Sequence, residues 1–225
     1  MRRLIVATVL LLPSLAVAQQ GAVEITPMVG LRRGGEIIVE DRAFQNRNVN
    51  VDLATEGSFG VRLGVGLSSR LQLEIMADRQ NGRMKDNKGL FGEQPGGFVP
   101  ILSTEILDFK VTYYHLGVLW HFKPAPNGWY VVISAGDTQI EPKSPLQSVD
   151  RFSASLGAGV KVELDEHSSL RFEARYFRTN TGNLPGAVQQ FDHRDCYQGG
   201  PCTYTYRYSD TLEQGQLSVG YVIRF

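Results

Sequence analysis

Along most of its length the chain alternates apolar residues with small or polar ones at a period of two, the repeat of a strand whose successive side chains point to opposite faces. A first strand starts near Ala22, with Val23, Ile25, Pro27, Val29 and Leu31 on one face and Glu24, Thr26, Met28, Gly30 and Arg32 on the other. Phe59, Val61, Leu63, Val65 and Leu67 then alternate with Ser58, Gly60, Arg62, Gly64 and Gly66, a glycine spacing that would ruin a helix. After the turn Ser68–Arg70, Leu71, Leu73, Ile75 and Ala77 stand opposite Gln72, Glu74, Met76 and Asp78. The fourth strand ends in Tyr114, Leu116, Val118, Trp120 and Phe122, but its earlier apolar residues, Leu107, Phe109 and Val111, are odd-numbered, which predicts a β-bulge near Tyr113–Tyr114.

Beyond the turn Lys123–Gly128, a fifth strand sets Trp129, Val131, Ile133 and Ala135 against Tyr130, Ser134 and Gly136. A sixth sets Phe152, Ala154, Leu156, Ala158, Val160 and Val162 against Ser153, Ser155, Gly157, Gly159, Lys161 and Glu163. A seventh sets Leu170, Phe172, Ala174 and Tyr176 against Arg171, Glu173 and Arg175. In the eighth, Leu217, Val219, Tyr221, Ile223 and Phe225 share the apolar face, Gln216, Ser218, Gly220 and Arg224 the other, and Val222 alone breaks the pattern. No stretch after residue 20 carries a useful helical repeat, and none is long and apolar enough to cross a bilayer as a helix.

Connection lengths alternate too. Those after the second, fourth and sixth strands are short, those after the first, third and seventh are long, near 35–55, 80–106 and 178–210, and the one after the fifth, near 139–148, is intermediate. Outer-membrane barrels join their strands by short periplasmic turns and longer extracellular loops. A water-soluble barrel also alternates, but its outward polar face would carry Lys, Glu, Asn and Thr rather than Gly60, Gly64, Gly66, Gly157, Gly159 and Gly220. Small residues interleaved with Arg and Glu instead suit the inside of a narrow barrel, which eight strands just leave room to fill. Trp120, Phe122, Trp129, Tyr130, Tyr176, Tyr221 and Phe225, near strand ends, are expected to supply interfacial girdles.

At the other end, Arg2 and Arg3 precede an apolar run, Leu4 to Leu12, and the pattern Ala16-Val17-Ala18, the layout of a secretory signal peptide cleaved after Ala18. Residues 1–18 are then the signal and 19–225 a single barrel domain. The whole chain has 23 basic and 23 acidic residues; losing Arg2 and Arg3 leaves 21 against 23, which gives no reason to propose a nucleic-acid partner.

With these features the chain resembles the small eight-stranded outer-membrane barrels of the OmpA-like and OmpX-like superfamily. The closing strand carries the resemblance most specifically: Val219, Tyr221, Ile223 and the final Phe225 match that family's assembly signal. The resemblance implies an all-β, eight-stranded antiparallel up-and-down transmembrane β-barrel in the bacterial outer membrane. It implies a monomer surrounded by outer-membrane lipids and lipopolysaccharide and inserted by the outer-membrane assembly machinery. It covers the mature length, leaving no room for an appended periplasmic domain. It implies no single activity, since such barrels include stabilisers, adhesins, narrow channels and a few lipid-modifying enzymes.

The expected lumen charges are Glu24, Arg32, Arg62, Glu74, Asp78, Lys161, Glu163, Arg171, Glu173, Arg175 and Arg224, six basic and five acidic. Near-equal numbers point to paired networks that plug the interior, with an ion path or gate as the alternative. Placing Leu164 opposite Leu170 sets Lys161 against Glu173 and Glu163 against Arg171. Cys196 and Cys202, six apart in an exported loop, are expected to form a disulfide that clamps it; a metal site with His193 and Asp195 is the alternative reading. Thr203–Tyr208 alternates strictly and is expected to extend the last hairpin above the membrane, offering tyrosines to a sugar or surface partner.

A lipid-modifying hydrolase of this class would use a His-x-Ser pair with an acid; His167-Ser168-Ser169 beside Glu166 matches superficially, but in a periplasmic turn, and His115 and His121 lack a Ser at matching spacing. Nothing resembles a P-loop, a dinucleotide fold or a zinc ligand set, so no catalytic, cofactor or metal site is expected. The reading is a structural or surface-interacting barrel, with a narrow channel as the alternative. Deleting Phe225 is expected to leave unfolded periplasmic protein where the wild type fractionates with the outer membrane; a soluble periplasmic wild type would refute the membrane reading.

Overall fold

A strand that is apolar on its outer face can lie in hydrocarbon only if every backbone N–H and C=O is paired, which demands a sheet without edges. The computed structural model describes residues 21–41, 47–52, 54–85, 105–125, 127–142, 148–181, 187–191, 202–208 and 211–225. Its strands, in chain order, are β1 (Val23–Arg33), β2 (Glu36–Asp41), β3 (Arg47–Asp52), β4 (Glu56–Gly66), β5 (Leu71–Lys85) and β6 (Glu105–His121). The second half gives β7 (Gly128–Pro142), β8 (Val149–Asp165), β9 (Ser168–Asn180), β10 (Ala187–Phe191), β11 (Cys202–Tyr208) and β12 (Thr211–Arg224). Eight of them close into an antiparallel barrel of order β1-β12-β9-β8-β7-β6-β5-β4. The remaining four form a separate sheet, β10-β11-β2-β3.

Closure fixes the geometry. Following paired residues around the wall, Val23–Val65–Leu73–Val118–Ile133–Leu156–Tyr176–Gly215–Arg33, the circuit returns to β1 ten residues beyond its start. That stagger tilts the strands, and with eight of them the interior is only wide enough for side chains. Because the stagger is even, each residue on the circuit keeps its side chain on the outer face.

The outer surface is greasy, and the inner one holds most of the buried charge. Outward Trp120, Phe122, Trp129, Tyr221 and Phe225 ring the short-turn end, and Phe59, Tyr114, Phe152 and Tyr176 ring the other. Tyr130 departs from the expected girdle: it is fully buried in the lumen and its hydroxyl donates to Glu173 Oε2 at 2.8 Å. Pro27 sits where it was tolerable, since the β1–β12 pairing runs from Ile25↔Ile223 to Met28↔Gly220 and skips Thr26 and Pro27.

The bulge expected at Tyr113–Tyr114 does not form. β6 runs through that point in one register with both neighbours, and Phe109, Val111 and Tyr113 are buried on the lumen side with His115. The apparent change of phase is a change of side chains, not of backbone: in this part of β6 the inward positions are the apolar Phe109, Val111 and Tyr113, and the alternate positions the polar Asp108, Lys110 and Thr112. The irregularities lie instead at Met84/Lys85 and at Glu163/Asp165.

The second of these shifts the expected β8–β9 register by two. Lys161 pairs with Arg171, Gly159 with Glu173 and Glu163 with Ser169, so neither Lys161–Glu173 nor Glu163–Arg171 is a cross-strand pair. Asp165 is the physical reason: its carboxylate accepts Ser168 Oγ at 2.5 Å and the His167 amide at 2.8 Å, closing the turn tightly so that Val162, not Leu164, meets Leu170. Those bonds, the Ser168 hydroxyl foremost, hold the Asp165 carboxyl below its ordinary range. A shift of two preserves the faces.

Large inward side chains are matched by glycines. A Cβ on Gly159 would strike the Tyr130 hydroxyl and the Phe172 carbonyl, whereas one on the outward Gly215 would meet nothing. Gly159→Ala is therefore expected to destabilise the barrel by about 1–3 kcal/mol while Gly215→Ala leaves it within about 0.5 kcal/mol, measured by the heat-induced loss of the folded band in detergent gels; equal effects would refute the packing.

Candidate functional site

The lumen is built in tiers from inward positions of all eight strands. At the short-turn end, Lys161 Nζ (β8) lies 2.5 Å from Glu24 Oε2 (β1) and donates to Gln72 Oε1 (β5) at 2.9 Å. Gln72 Nε2 donates to the same Glu24 oxygen at 2.7 Å, and Arg224 Nε (β12) reaches Glu24 Oε1 at 3.3 Å. His121 joins through Nε2, 3.3 Å from Gln72 Oε1.

The next tier is a knot of two carboxylates and three guanidiniums. Arg171 contacts Glu74 at 2.5 Å and also Glu173; Arg175 contacts Glu173 at 2.8 Å and Glu74 at 2.9 Å. Arg62 reaches across from β4 to Glu173 at 3.1 Å. Tyr130 completes it, accepting from Arg171 Nε at 2.7 Å while donating to Glu173. Planar, forked guanidinium donors satisfy two carboxylates at once in a way that a lysine could not. Isolated, each buried ion would cost several kcal/mol; paired and hydrogen-bonded on several sides, the knot offsets that cost.

Above the knot, Asp78 holds Arg32, stands 3.5 Å from Arg62 Nη1, and accepts Gln216 Nε2 at 3.2 Å. The Arg32 guanidinium lies 4.7 Å from the ring centres of both Tyr113 and Phe177. Tyr113 donates to Gln214 at 2.8 Å, and Gln214 donates to Gln80 at 3.2 Å. On the opposite wall His115 lies between Ser134 Oγ, 2.9 Å from Nδ1, and Ser153 Oγ, 2.6 Å from Nε2. Thr138 extends this row to Ser153 at 2.6 Å and Thr179 at 3.2 Å.

Six of the seven residues expected in the charge network, Arg62, Glu74, Lys161, Arg171, Glu173 and Arg175, are thus in the lumen, with Glu24, Arg32, Asp78 and Arg224. Glu163 is not: it is exposed at the short-turn end, where it accepts Asn127 Nδ2 and its own amide donates to Asn127 Oδ1 at 2.6 Å. Sequence reasoning missed the neutral partners Tyr130, Gln72, Gln216 and Tyr113; inward parity alone marks them. Val219, Tyr221, Ile223 and Phe225 face outward along the closing strand. Cys196, His193 and Asp195 lie outside the described residues, as does the proposed signal peptide, and Cys202 opens β11.

Neither histidine suggestion makes a catalytic triad. Ser169, the serine of the His-x-Ser pattern, accepts from Arg224 Nη2 at 3.4 Å, and both ring nitrogens of His115 meet serine hydroxyls, not a carboxylate. Among the described residues no group of three His, Cys, Asp or Glu side chains could hold a metal ion.

Beyond the barrel, β11 pairs with β10 and also with β2, through Tyr204↔Asp41, Tyr206↔Val39 and Tyr208↔Ile37, in a sheet separate from the β9–β12 pair rather than as a continuation of that hairpin. β2 in turn pairs with β3. The first and last long connections are thereby stitched into one sheet. Gly34 and Gly35, at φ 102° and 107°, make the step from β1 into β2, a left-handed conformation that residues with a Cβ adopt only under strain.

The corrected register sets a double-mutant test. Glu173→Ala is expected to cost about 3–5 kcal/mol, because it strands guanidiniums in the lumen. Arg171 and Glu173 should show strong coupling, whereas Lys161 and Glu173 should be additive to within about 0.5 kcal/mol. Strong Lys161–Glu173 coupling in denaturant unfolding would restore the register rejected above.

Comparison with solved structures finds the same architecture at low identity. The outer membrane protein OprG from Pseudomonas aeruginosa is 12% identical, with a TM-score of 0.54 over 90% of this chain and 96% of that one. The outer membrane protein AlkL, solved in lipid bilayers, is 14% identical, with a TM-score of 0.51 over 92% and 90%. Comparison with curated proteins finds no match. The family described as outer membrane protein beta-barrel domain matches residues 5–225. With that match across nearly the whole sequence, the chain belongs to the outer membrane protein β-barrel domain family and is a protein of the bacterial outer membrane.

Proposed function

We propose that this protein works at the cell surface, its barrel serving as a closed mount and its second sheet as the contact surface. The observation that carries the reading is the pairing of a tightly cross-linked lumen with a four-stranded sheet assembled from two long connections. Register pairs Tyr204 with Asp41, Tyr206 with Val39 and Tyr208 with Ile37, and Asp41, Val39 and Ile37 in turn with Arg47, Val49 and Val51, so the sheet carries aromatic, aliphatic and charged positions of the kind that take a sugar or a protein surface. No catalytic role belongs to this reading.

The immediate surroundings are lipid. Just beyond the upper aromatic ring, Arg79 reaches over Phe59, 6.0 Å from its ring centre, and Arg178 stands exposed 3.6 Å from Glu213. Such cations support contact with the phosphates of lipopolysaccharide in the outer leaflet, with the protein as a monomer inserted by the assembly machinery.

Two measurements separate this from a narrow channel. Refolded protein in a planar bilayer is expected to give no reproducible single-channel steps; well-defined open levels would make it a channel. Cells carrying Tyr204, Tyr206 and Tyr208 all changed to Ser are expected to lose adhesion to glycan-coated and protein-coated surfaces while keeping wild-type heat modifiability. Unchanged adhesion would refute the sheet as the contact surface.

A further inference from the structure

Among the described residues the buried charges of the lumen do not cancel. Arg32, Arg62, Lys161, Arg171 and Arg175 face Glu24, Glu74, Asp78 and Glu173, five cations to four carboxylates. Arg224 adds a further positive charge at the partly open short-turn end. Lys161 has Glu24, and Arg171 and Arg175 each contact both glutamates of the knot. Arg62 bridges the two groups, 3.1 Å from Glu173 and 3.5 Å from Asp78, which also holds Arg32, so the excess is shared across the knot, Arg62 and Arg32.

Arg32 and Arg62 also hold unsatisfied donors. Nε and Nη1 of Arg32, and Nε and Nη1 of Arg62, make no hydrogen bond among the described residues, although the side chains are 0% and 1% exposed; Arg62 Nη1 stands 3.5 Å from Asp78 Oδ2 and Nε 3.9 Å from Glu74 Oε1, outside hydrogen-bonding geometry. Tyr113 and Phe177 cover Arg32 but do not answer its N–H groups, which radiate in the plane of the guanidinium. A water molecule would answer the donors and leave the charge; an anion answers both.

We propose that the lumen binds one small monovalent anion, of the halide class, between Arg32 and Arg62 beside Asp78. The two arginines come from β1 and β4, adjacent strands, and converge on Asp78 of β5 from one side. A Cβ on Gly60 would collide with Asp78, so the glycine lets the carboxylate lie back against the wall beside the two cations. The bound anion would stabilise the closed lumen.

The test uses the full-length protein refolded in detergent, unfolded in sodium chloride and in sodium gluconate at equal ionic strength. Chloride is expected to raise the unfolding temperature by ~2–4 °C and then saturate, as site binding requires. Arg62→Gln should abolish the difference, and Asp78→Asn, which adds one more unbalanced positive charge, should enlarge it. Crystals grown in bromide should show an anomalous peak between Arg32 and Arg62. Superimposable chloride and gluconate curves for the wild type would overturn the site. Should Arg62→Gln fail to fold, the bromide peak in the wild type decides, and its absence from the lumen overturns the proposal.

Discussion

Everything in this molecule follows from the prohibition on unpaired backbone in hydrocarbon. One strand cannot meet it and an open sheet cannot meet it at its edges, so β1 must find β12 as well as β4. Once the ladder closes, strand number and stagger set the bore. The ten-residue stagger seen on returning to β1 is thus more than a detail of register. It makes the interior too narrow for bulk water and too wide to stay empty, and so dictates what the inward face must be.

That inward face solves a packing problem and an electrostatic one together. Large side chains need vacant positions opposite them, which is why Tyr130 lies over Gly159, Met28 over Gly220 and Phe109 over Gly82. Long cationic side chains can fill a bore only if carboxylates from other strands meet them, and the pairs observed join residues far apart in sequence: Lys161 with Glu24, Arg171 with Glu74, Arg62 with Glu173. Lys161 and Arg171 are even cross-strand neighbours, a like-charge pairing that would be destabilising on an exposed sheet. Here each is held by an acid from across the lumen, so contacts through the lumen decide the energetics and contacts along the wall do not.

This explains which features the sequence discloses. Parity is local, so the period of two marked the eight barrel strands, the faces of Arg62, Glu74, Arg171, Glu173 and Arg175, and the outward row ending in Phe225. Register is not local: Leu164 opposite Leu170 and Val162 opposite Leu170 have the same parity, and only the Asp165 turn separates them. Glu163 was misplaced for a related reason, since parity says inward but not whether a strand has already left the barrel. Tyr130 was misread because an aromatic residue near a strand end looks alike in a girdle and in a lumen. The partnership of β2 with β11 joins residues more than 160 positions apart and leaves no periodic trace in either segment.

The same topology sets how the surface sheet relates to the plug. β1 carries Arg32, locked against Asp78, Tyr113 and Phe177, and two residues later the chain bends through Gly34 and Gly35 into β2. Gln80 and Gln214 fasten the near side of that bend, donating to the carbonyls of Arg32 and Gly34 at 3.3 and 3.1 Å. Forces on β2 therefore meet a glycine pair before they meet the lumen, and the fastened carbonyls anchor β1 below it. The tightly filled barrel and the second sheet are thus joined at β1 through a bend whose lumen side is fixed by hydrogen bonds.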